Sequence, residues 1–400
     1  MPTLPLSLPD SSCKLPPELW AQVLTLLEPN PDLGTQAWLA AQTIFWQLPL
    51  VCRTFRQIFM QHKIGRHICL QKLPRVYSAL PTLLAWLEAK SDVIETLHTP
   101  QWWSCHTEYL VALSPLLALT SLTGGISNNA SLEVVARFRT LQSCKLTSQG
   151  HNRPLDLAPF LRLERLTDLH LASGEYVNLA ANQLTYCALS HAVLSVVAGC
   201  SFCNSLIGLA MVNSRLRTSD SKGLLACTAL QGLHIGDNCI IHAADPKDIL
   251  QNQGFPIIPL QMSCLAALRV VTFEACNNMS SAGMVGICKL PHINHFNLAF
   301  PARFEAGVEF EHLTKVTELS IRTTRSFGCL RLGFDWSALT ALRCLHIQAR
   351  FCADEQLLGI SQLQHLQQVS LEDGSYAVDV RSKALLAQLM LFLGPDKLIT

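Results

Sequence analysis

The feature that most constrains the fold is an apolar pattern that recurs along residues 116–371. Taking one apolar residue as position 0, further apolar residues stand at positions −3, +3 and +5, as in the segment 163–171. Ten segments match at all four positions, and an eleventh, around Leu119, fails only at Gly124. Their index residues are 119, 141, 166, 184, 206, 230, 268, 293, 316, 342 and 366. This recurrence predicts stacked units, each of which buries its apolar side only against its neighbours.

The spacing within each segment predicts a short β-strand. Residues +3 and +5 point to one side of an extended chain, and the residue between them points to the other side. That intervening residue is polar in most segments, as at His170, His234, Thr272, Asn297, Ser320, His346 and Ser370. We therefore expect parallel strands with one side in the core and the other in water.

Eight of the ten intervals between index residues lie in the range of about 20 to 29 residues that leucine-rich repeats use. With its L-x-x-L-x-L pattern, the chain resembles the leucine-rich repeat family over about Leu116 to Leu371. That resemblance implies an α/β repeat: a solenoid with parallel strands on its concave face, assigned here to residues 113–380. The family's Asn or Cys three residues after the pattern survives only as Asn238 and Cys276. We therefore expect an irregular array that largely lacks the usual side-chain ladder.

Other segments border or interrupt this array. Residues 63–112 are interpreted as a linker with capping helices, and Ile94–Leu97 as an irregular first strand. Prolines in residues 239–263 predict an inserted loop, and apolar residues at helical spacing predict a terminal cap over residues 381–400. The pair Trp102-Trp103 is interpreted either as a cover for the open edge of the array or as an aromatic contact for a partner.

The N-terminal residues 12–62 predict a separate module of three short helices. Leu15-Pro16-Pro17-Glu18-Leu19 is typical of a helix start, because proline is tolerated in the first turn. A second apolar helix is predicted from Gln36 to Gln47. After Pro49, the segment 50–59 predicts a third helix with its apolar residues on one side.

Opened by L-P-x-E-L and closed by L-V-C-R-x-F-R, this module resembles an F-box. The resemblance implies docking onto the Skp adaptor subunit of a cullin-RING ubiquitin ligase. The residues that it places at the adaptor are Leu15, Pro16, Glu18, Leu19, Val23, Leu24, Leu27, Leu50, Val51, Cys52 and Phe55. The stretch between the two matching parts is about a dozen residues longer than in a typical F-box, so the second helix is extended or a loop is inserted. An ordinary helical cap on the solenoid is the alternative interpretation.

Together the two resemblances predict the substrate-recognition subunit of such a ligase, without catalytic residues of its own. The alternative is an interaction scaffold with the same repeats and no ligase. The candidate target contacts are polar residues on the predicted open face: Asp168, His170, His234, Glu274, His295, Asn297, Glu318, Ser320, Arg322, His346, Gln348 and Glu372.

Composition narrows the class of partner. Thirty basic against 29 acidic residues give a net charge of +1 with no basic block, which argues against nucleic acid. No apolar run approaches the roughly 18 to 20 residues of a membrane-spanning helix. The first ten residues contain no Lys or Arg and three prolines, so we expect a cytoplasmic or nuclear protein and not a secreted one. In such a compartment the 16 cysteines are expected to be thiols, without disulfides or a disulfide-linked partner.

Metal and catalytic sites are not indicated. His170, His234 and His346 fall on strands three and four units apart, about 14 to 19 Å from one another, too far to share one ion. Cys200 and Cys203 form an isolated C-x-x-C, and Cys203 stands at a core position. We therefore expect no metal, no cofactor and no enzymatic activity, a cysteine-dependent enzyme being the least favoured hypothesis.

Overall fold

A computed structural model describes residues 66–70, 84–85, 87–88, 91–99, 103, 107–149, 153–179, 181–196, 204–218, 227–236, 239–243, 265–274, 287–300, 304–306, 308–323, 329–332, 335–348, 350–351, 359–372, 391 and 398–399. The chain divides into two compact units, Met1–Gln149 and Gly150–Thr400, called here the first and the second unit. The predicted F-box-like module, with all of its adaptor residues, lies outside the described residues.

The first unit contains a parallel sheet in the order β1-β2-β3-β4. Its strands are β1 (His67–Cys69), β2 (Thr96–His98), β3 (Ser121–Ile126) and β4 (Ser143–Ser148). The predicted strand at Ile94–Leu97 thus begins two residues later, and β1 carries no repeat signal in the sequence. The helices are α1 (Thr107–Ala112) and α2 (Asn129–Val135), and the Asn128 side chain caps α2 by accepting a 2.9 Å hydrogen bond from the Ser131 amide.

Trp103 belongs to the core of the first unit. Its side chain is fully buried, and its ring lies 5.8 Å from that of Tyr109 in a tilted arrangement. Of the two interpretations of Trp103, this burial favours a cover for the edge of the array and argues against a contact for a partner. Trp102 lies outside the described residues.

The second unit contains a longer parallel sheet, called here the inner ladder. Its strands are β6 (Asp168–Ala172), β8 (Tyr186–Ser190), β10 (Gly208–Val212), β12 (Gly232–Ile235), β14 (Val270–Glu274), β15 (His295–Phe300), β17 (Glu318–Thr323), β19 (Cys344–Gln348), β21 (Gln368–Glu372) and β22 (Leu398–Ile399). Neighbouring strands pair so that equivalent repeat positions face each other, as in Leu169↔Cys187 and Leu319↔Leu345. All eleven predicted strands therefore exist and are parallel, and each has four to six residues.

The residues at the predicted core positions are buried. Every described side chain at positions −3, 0, +3 and +5 for which burial is defined is at most 6% exposed, apart from Gly124 in the incomplete eleventh segment. Aromatic rings strengthen the core under β14 and β15, where Phe296 contacts Phe273 at 6.3 Å and Phe310 at 5.9 Å, both edge to face. The apolar lattice is thus the interior of the repeat.

The second unit also contains a second set of parallel strands in two separate sheets, called here the second ladder. It comprises β5 (Leu155–Asp156), β7 (Glu175–Val177), β9 (Val193–Val196), β11 (Arg215–Thr218) and β13 (Ile240–Ala243), and separately β16 (Phe304–Ala306), β18 (Cys329–Leu332) and β20 (Arg350–Phe351). Among the described residues of the second unit, Ile287, Cys288 and Leu391 are helical, and several of the described repeats return through short strands and 3-10 turns. The predicted insertion also begins as strand β13; its residues 244–263 lie outside the described residues.

Chain reversals between the two ladders use a left-handed residue. Ser173, His191 and Asn213 stand seven residues after their index residues, and their φ angles are 53°, 52° and 47°. One residue later, the buried Ser214 hydroxyl accepts from the Ala192 amide at 3.2 Å and donates to the Val212 carbonyl at 2.7 Å. The Ser214 side chain therefore bonds the backbone of the turn here, in place of the asparagine of the usual ladder.

Short 3-10 helices complete several repeats. They are Ala158–Arg162, Val308–His312, Trp336–Ala338 and Gly359–Gln362. Each places one large buried side chain in the core: Phe160, Phe310, Trp336 and Ile360. Of the predicted C-terminal cap only Leu391, which is helical, and β22 are described. Within the described residues, none of the helices combines the length and apolar character that crossing a bilayer requires.

Candidate protein-binding face

The register of the inner ladder places alternate side chains in rows on the side away from the core, called here the open face. The first row comprises Asp168, Tyr186, Gly208, Gly232, Val270, His295, Glu318, Cys344 and Gln368. The third row comprises His170, Ala188, Ala210, His234, Thr272, Asn297, Ser320, His346 and Ser370. The fifth row includes Glu274, Ala299, Arg322, Gln348 and Glu372. All twelve predicted target contacts occupy these rows.

Across β8, β10 and β12 the open face carries small or uncharged side chains. The Tyr186 ring covers Gly208, since a methyl group added there would stand 2.7 Å from Tyr186 Cδ2. A methyl group added at Gly232 meets no heavy atom within 4 Å. Ala210 lies beside it in the third row. This stretch, together with Val270 at the next first-row position on β14, is called here the trough, and it is open above Gly232.

An ion pair spans three strands next to the trough. Arg322 Nη2 donates to Glu274 Oε1 at 2.8 Å, passing over β15, where the residue at the same row is the buried Ala299. A larger side chain at 299 would occupy the path between the two charges. His234 Nε2 lies 3.8 Å from the other oxygen of Glu274. Glu274 on β14 therefore has a partner on each side, His234 on β12 and Arg322 on β17.

A second pair lies along the first row. His295 Nδ1 and Glu318 Oε2 are 2.7 Å apart, and the Glu318 side chain is 56% exposed. Solvent screens such a pair, so it orients the carboxylate more than it stabilises the fold. With more than half of its side chain exposed, Glu318 remains accessible to a partner.

Two polar atoms in this cluster are buried without a hydrogen-bond partner among the described residues. They are Asn297 Oδ1 and Arg322 Nε. Buried polar atoms are usually hydrogen-bonded inside a protein, either to other protein groups or to ordered water. The cluster around β15 is thus the polar centre of the open face.

The remaining predicted contacts lie along the same rows at greater distance. Asp168 accepts a 2.6 Å hydrogen bond from the neighbouring Thr167 hydroxyl, and the His170 ring lies 5.5 Å from that of Tyr186. Ser320, His346 and Gln348 follow on β17 and β19, and Glu372 is described in its backbone only. The histidines do not converge, and no group of three or more His, Cys, Asp or Glu is arranged for a metal among the described residues.

Sequence reasoning missed the residues that form the trough. The open face also carries Tyr186, Gly208, Ala210, Gly232 and Val270. They were missed because only polar side chains were selected as candidate contacts. The available signal was the pair of glycines at equivalent first-row positions, where a strand usually carries a side chain. Val270 is 43% exposed, which confirms that the first row presents an apolar surface here.

The open face of the first unit differs in charge. Its central row is Cys69, His98, Thr123 and Lys145. Burial, followed by the positive charges of Lys145 and His67, lowers the pKa of His98. These described positions supply cationic or neutral side chains, and none of them was predicted as a contact.

The core cysteines that were predicted as inert thiols are buried. Burial raises the pKa of the Cys187 thiol to about 12, and it raises the pKa of Cys144 as well. A thiol in this state is protonated at neutral pH and is a poor nucleophile. Cys200 and Cys203 lie outside the described residues.

The comparisons with known proteins found similarity to solved structures but none to a known family or a curated protein. The crystal structure of an internalin from Listeria monocytogenes resembles this chain at 14% sequence identity and a TM-score of 0.46, over 78% of this chain and 92% of the internalin. The leucine-rich-repeat-like solenoid fold follows from the parallel registers and the buried lattice of the chain itself.

Proposed function

We propose that this chain is a protein-interaction scaffold that binds a protein target through the open face of its second unit. The observation that carries the proposal is the row arrangement of half-exposed polar side chains on a rigid parallel ladder. Each repeat places its contacts about 4.8 Å from those of the next, so a broad target surface meets many independently placed groups. The chain contributes binding and placement, without catalysis or a cofactor, in the cytoplasm or nucleus.

Site-specific photocrosslinking in cells tests this proposal. A benzophenone amino acid replaces Ser320 or His346 on the open face of the full chain, and Arg165, exposed in a turn, serves as the control position. We expect defined crosslinked proteins from positions 320 and 346 and none of them from position 165. The same products from all three positions, or products from position 165 alone, would contradict the proposal.

A second candidate function is that of a substrate-recognition subunit in a cullin-RING ubiquitin ligase. It is favoured by the order of the two N-terminal motifs, L-P-x-E-L at residues 15–19 and L-V-C-R-x-F-R at residues 50–56. In that role the N-terminal module would hold the Skp adaptor and cullin while the open face holds the target. Bringing a target lysine close to charged ubiquitin raises its effective concentration, which is the whole catalytic contribution that such a subunit makes.

Capture of the Skp adaptor distinguishes the two candidates. The full chain is compared with a Leu15→Ala, Pro16→Ala, Val51→Ala variant, and Ser320→Ala serves as a control on the open face. The ligase function predicts adaptor and cullin in the captured material, loss of both in the triple variant and no change in the control. Target capture without any adaptor would leave the scaffold and exclude the ligase.

A further inference from the structure

The trough lies between two carboxylates on the first row of the open face. Counting along the hydrogen-bonded strands from Gly232 on β12, Asp168 on β6 is three strands away in one direction. Glu318 on β17 is three strands away in the other direction. At about 4.8 Å per strand, each carboxylate stands roughly 14 Å from Gly232. An extended chain covers that distance in about four residues.

The trough itself is an open apolar stretch of the face that can receive a side chain. Gly232 and Ala210 supply only backbone and a methyl group there, and the register places the Tyr186 ring on one side and the exposed Val270 side chain on the other. Binding energy in protein interfaces concentrates where a large apolar side chain packs against such a surface and is shielded from water. The absence of any heavy atom within 4 Å of an added Gly232 methyl group leaves room for one.

The charges around the trough determine which residues are favoured beside the apolar side chain of the partner. The described side chains on the strands of the open face include three carboxylates, Asp168, Glu274 and Glu318, and one guanidinium, Arg322, which is already bound to Glu274. Arg269 and Arg343 precede their strands by one residue and lie at the edge of the face. A partner with Lys or Arg beside its apolar side chain is therefore attracted, and an acidic one is repelled.

We propose that the trough receives an apolar side chain from an extended segment of the target protein, and that Lys or Arg residues three to five positions away pair with Glu318 and Asp168. This inference rests on the proposed binding function of the open face, and it adds the location of the anchor and the chemical class of the segment.

Selection of peptides on the full chain tests the inference. The probe is a phage-displayed library of random twelve-residue peptides. The enriched sequences are expected to share an apolar residue with Lys or Arg three to five positions from it. Enrichment of acidic peptides, of peptides without that spacing, or of no sequence at all would overturn the inference.

Variants then place the selected peptide on the trough. Gly232→Leu is expected to weaken binding at least about tenfold by occupying the open space above the strand, and Gly232→Ala to weaken it less. Glu318→Gln and Asp168→Asn are each expected to weaken binding about three- to tenfold, with less effect at high salt. Ser143→Leu, on the open face of the first unit, is the matched control and is expected to leave binding unchanged. Equal binding by Gly232→Leu and the unaltered chain would overturn the assignment.

Failure of this inference is separable from failure of the proposed function. If crosslinking from positions 320 and 346 captures the same proteins with and without Gly232→Leu, the open face still binds a target and the trough is not its anchor. If neither position captures a protein, the binding function of the face itself fails. Thermal unfolding of Gly232→Leu, compared with that of Gly232→Ala and of the unaltered chain, verifies that a loss of binding is not a loss of folding.

Discussion

The open faces of the two units differ in charge although they are built on the same apolar spacing. The first unit presents His67, His98 and Lys145 on its described strands, whereas the second presents Asp168, Glu274, Glu318 and a single guanidinium. Both cores use apolar side chains at positions 0 and +3 of each repeat. The comparison teaches that the repeat determines the core while the alternate positions remain free to specify a partner.

The largest effect on stability is expected from substitutions in the cores of the two units. Phe296 and Cys144 both occupy position +3, but Phe296 contacts two further rings in the second unit, and Cys144 is a small thiol in the first. Phe296→Ala is expected to lower the free energy of unfolding by about 3–5 kcal/mol, because it leaves a cavity among those rings. Urea unfolding measures it.

Matched substitutions sharpen that result. Cys144→Ala removes only one sulfur atom and is expected to cost clearly less, and Phe296→Leu is expected to cost less than Phe296→Ala. If Phe296→Ala unfolded at the same urea concentration as the unaltered chain, the aromatic cluster would not be part of a packed core.

Two glycines provide the next test. Gly124 of the first unit stands at core position +5, where Thr99 fills the space, and a methyl group added there would overlap the Thr99 hydroxyl. Gly124→Leu restores the repeat pattern, yet we expect it to destabilise the chain by about 1–3 kcal/mol through overpacking. Gly232→Ala in the second unit is expected to change stability by no more than about 0.5 kcal/mol, since its methyl group has space.

A companion substitution verifies the cause. Thr99→Ala removes the obstructing hydroxyl, although it also removes the weak 3.3 Å hydrogen bond to the Thr123 carbonyl. The double variant Gly124→Leu, Thr99→Ala is expected to recover part of the loss in thermal unfolding. Additive losses would show that the two side chains do not compete for one space.

The sequence predicted those features of the fold that depend on the spacing of its apolar residues. The eleven strands, their parallel stacking and the burial of Leu166 or Ile321 follow from a spacing that only one arrangement satisfies. Strand β1 could not be predicted, because His67–Cys69 offers three residues without the repeat. The second ladder was also missed, since strands such as Glu175–Val177 are too short to establish an alternation of their own.

The candidate site was predicted only in its polar part. Glu274 and Arg322 were selected for their residue type and row, but their pairing depends on the small Ala299 between them, a relation across 48 residues of sequence. The trough depends on the absence of side chains at Gly208 and Gly232, which a search for chemical groups does not detect. Both the contact between Glu274 and Arg322 and the open space at the glycines depend on how the strands are aligned, and the alignment is known only from the structure.

A smaller effect is expected from the ion pair beside the trough. Arg322 and Glu274 are both more than a third exposed, so solvent screens their attraction. A double-mutant cycle with Arg322→Met and Glu274→Gln is expected to give a coupling energy below about 1 kcal/mol in thermal unfolding. The cycle should show no coupling between Arg322→Met and Lys145→Gln, whose residues lie in different units. A coupling of several kcal/mol would place the pair in a buried environment.

The smallest expected change concerns a single titration in the first unit. Burial is the largest cause that lowers the pKa of His98, and the charge of Lys145 is the next. Lys145→Gln removes the second cause alone, so the pKa of His98 should rise towards, without reaching, the unperturbed value of about 6.5. The histidine Cε1 proton shift followed by NMR measures it, and His67→Asn, which removes the third cause, should raise the pKa less.

The sign of the linked stability follows from the same shift. Because the folded chain holds the pKa of His98 below its unfolded value, the unfolded chain binds more protons between the two values, and stability falls as pH drops through that window. Lys145→Gln narrows the window and should reduce the pH dependence of unfolding there. An unchanged His98 titration would mean that the charge of Lys145 does not act on His98, and burial would then account for the shift without it.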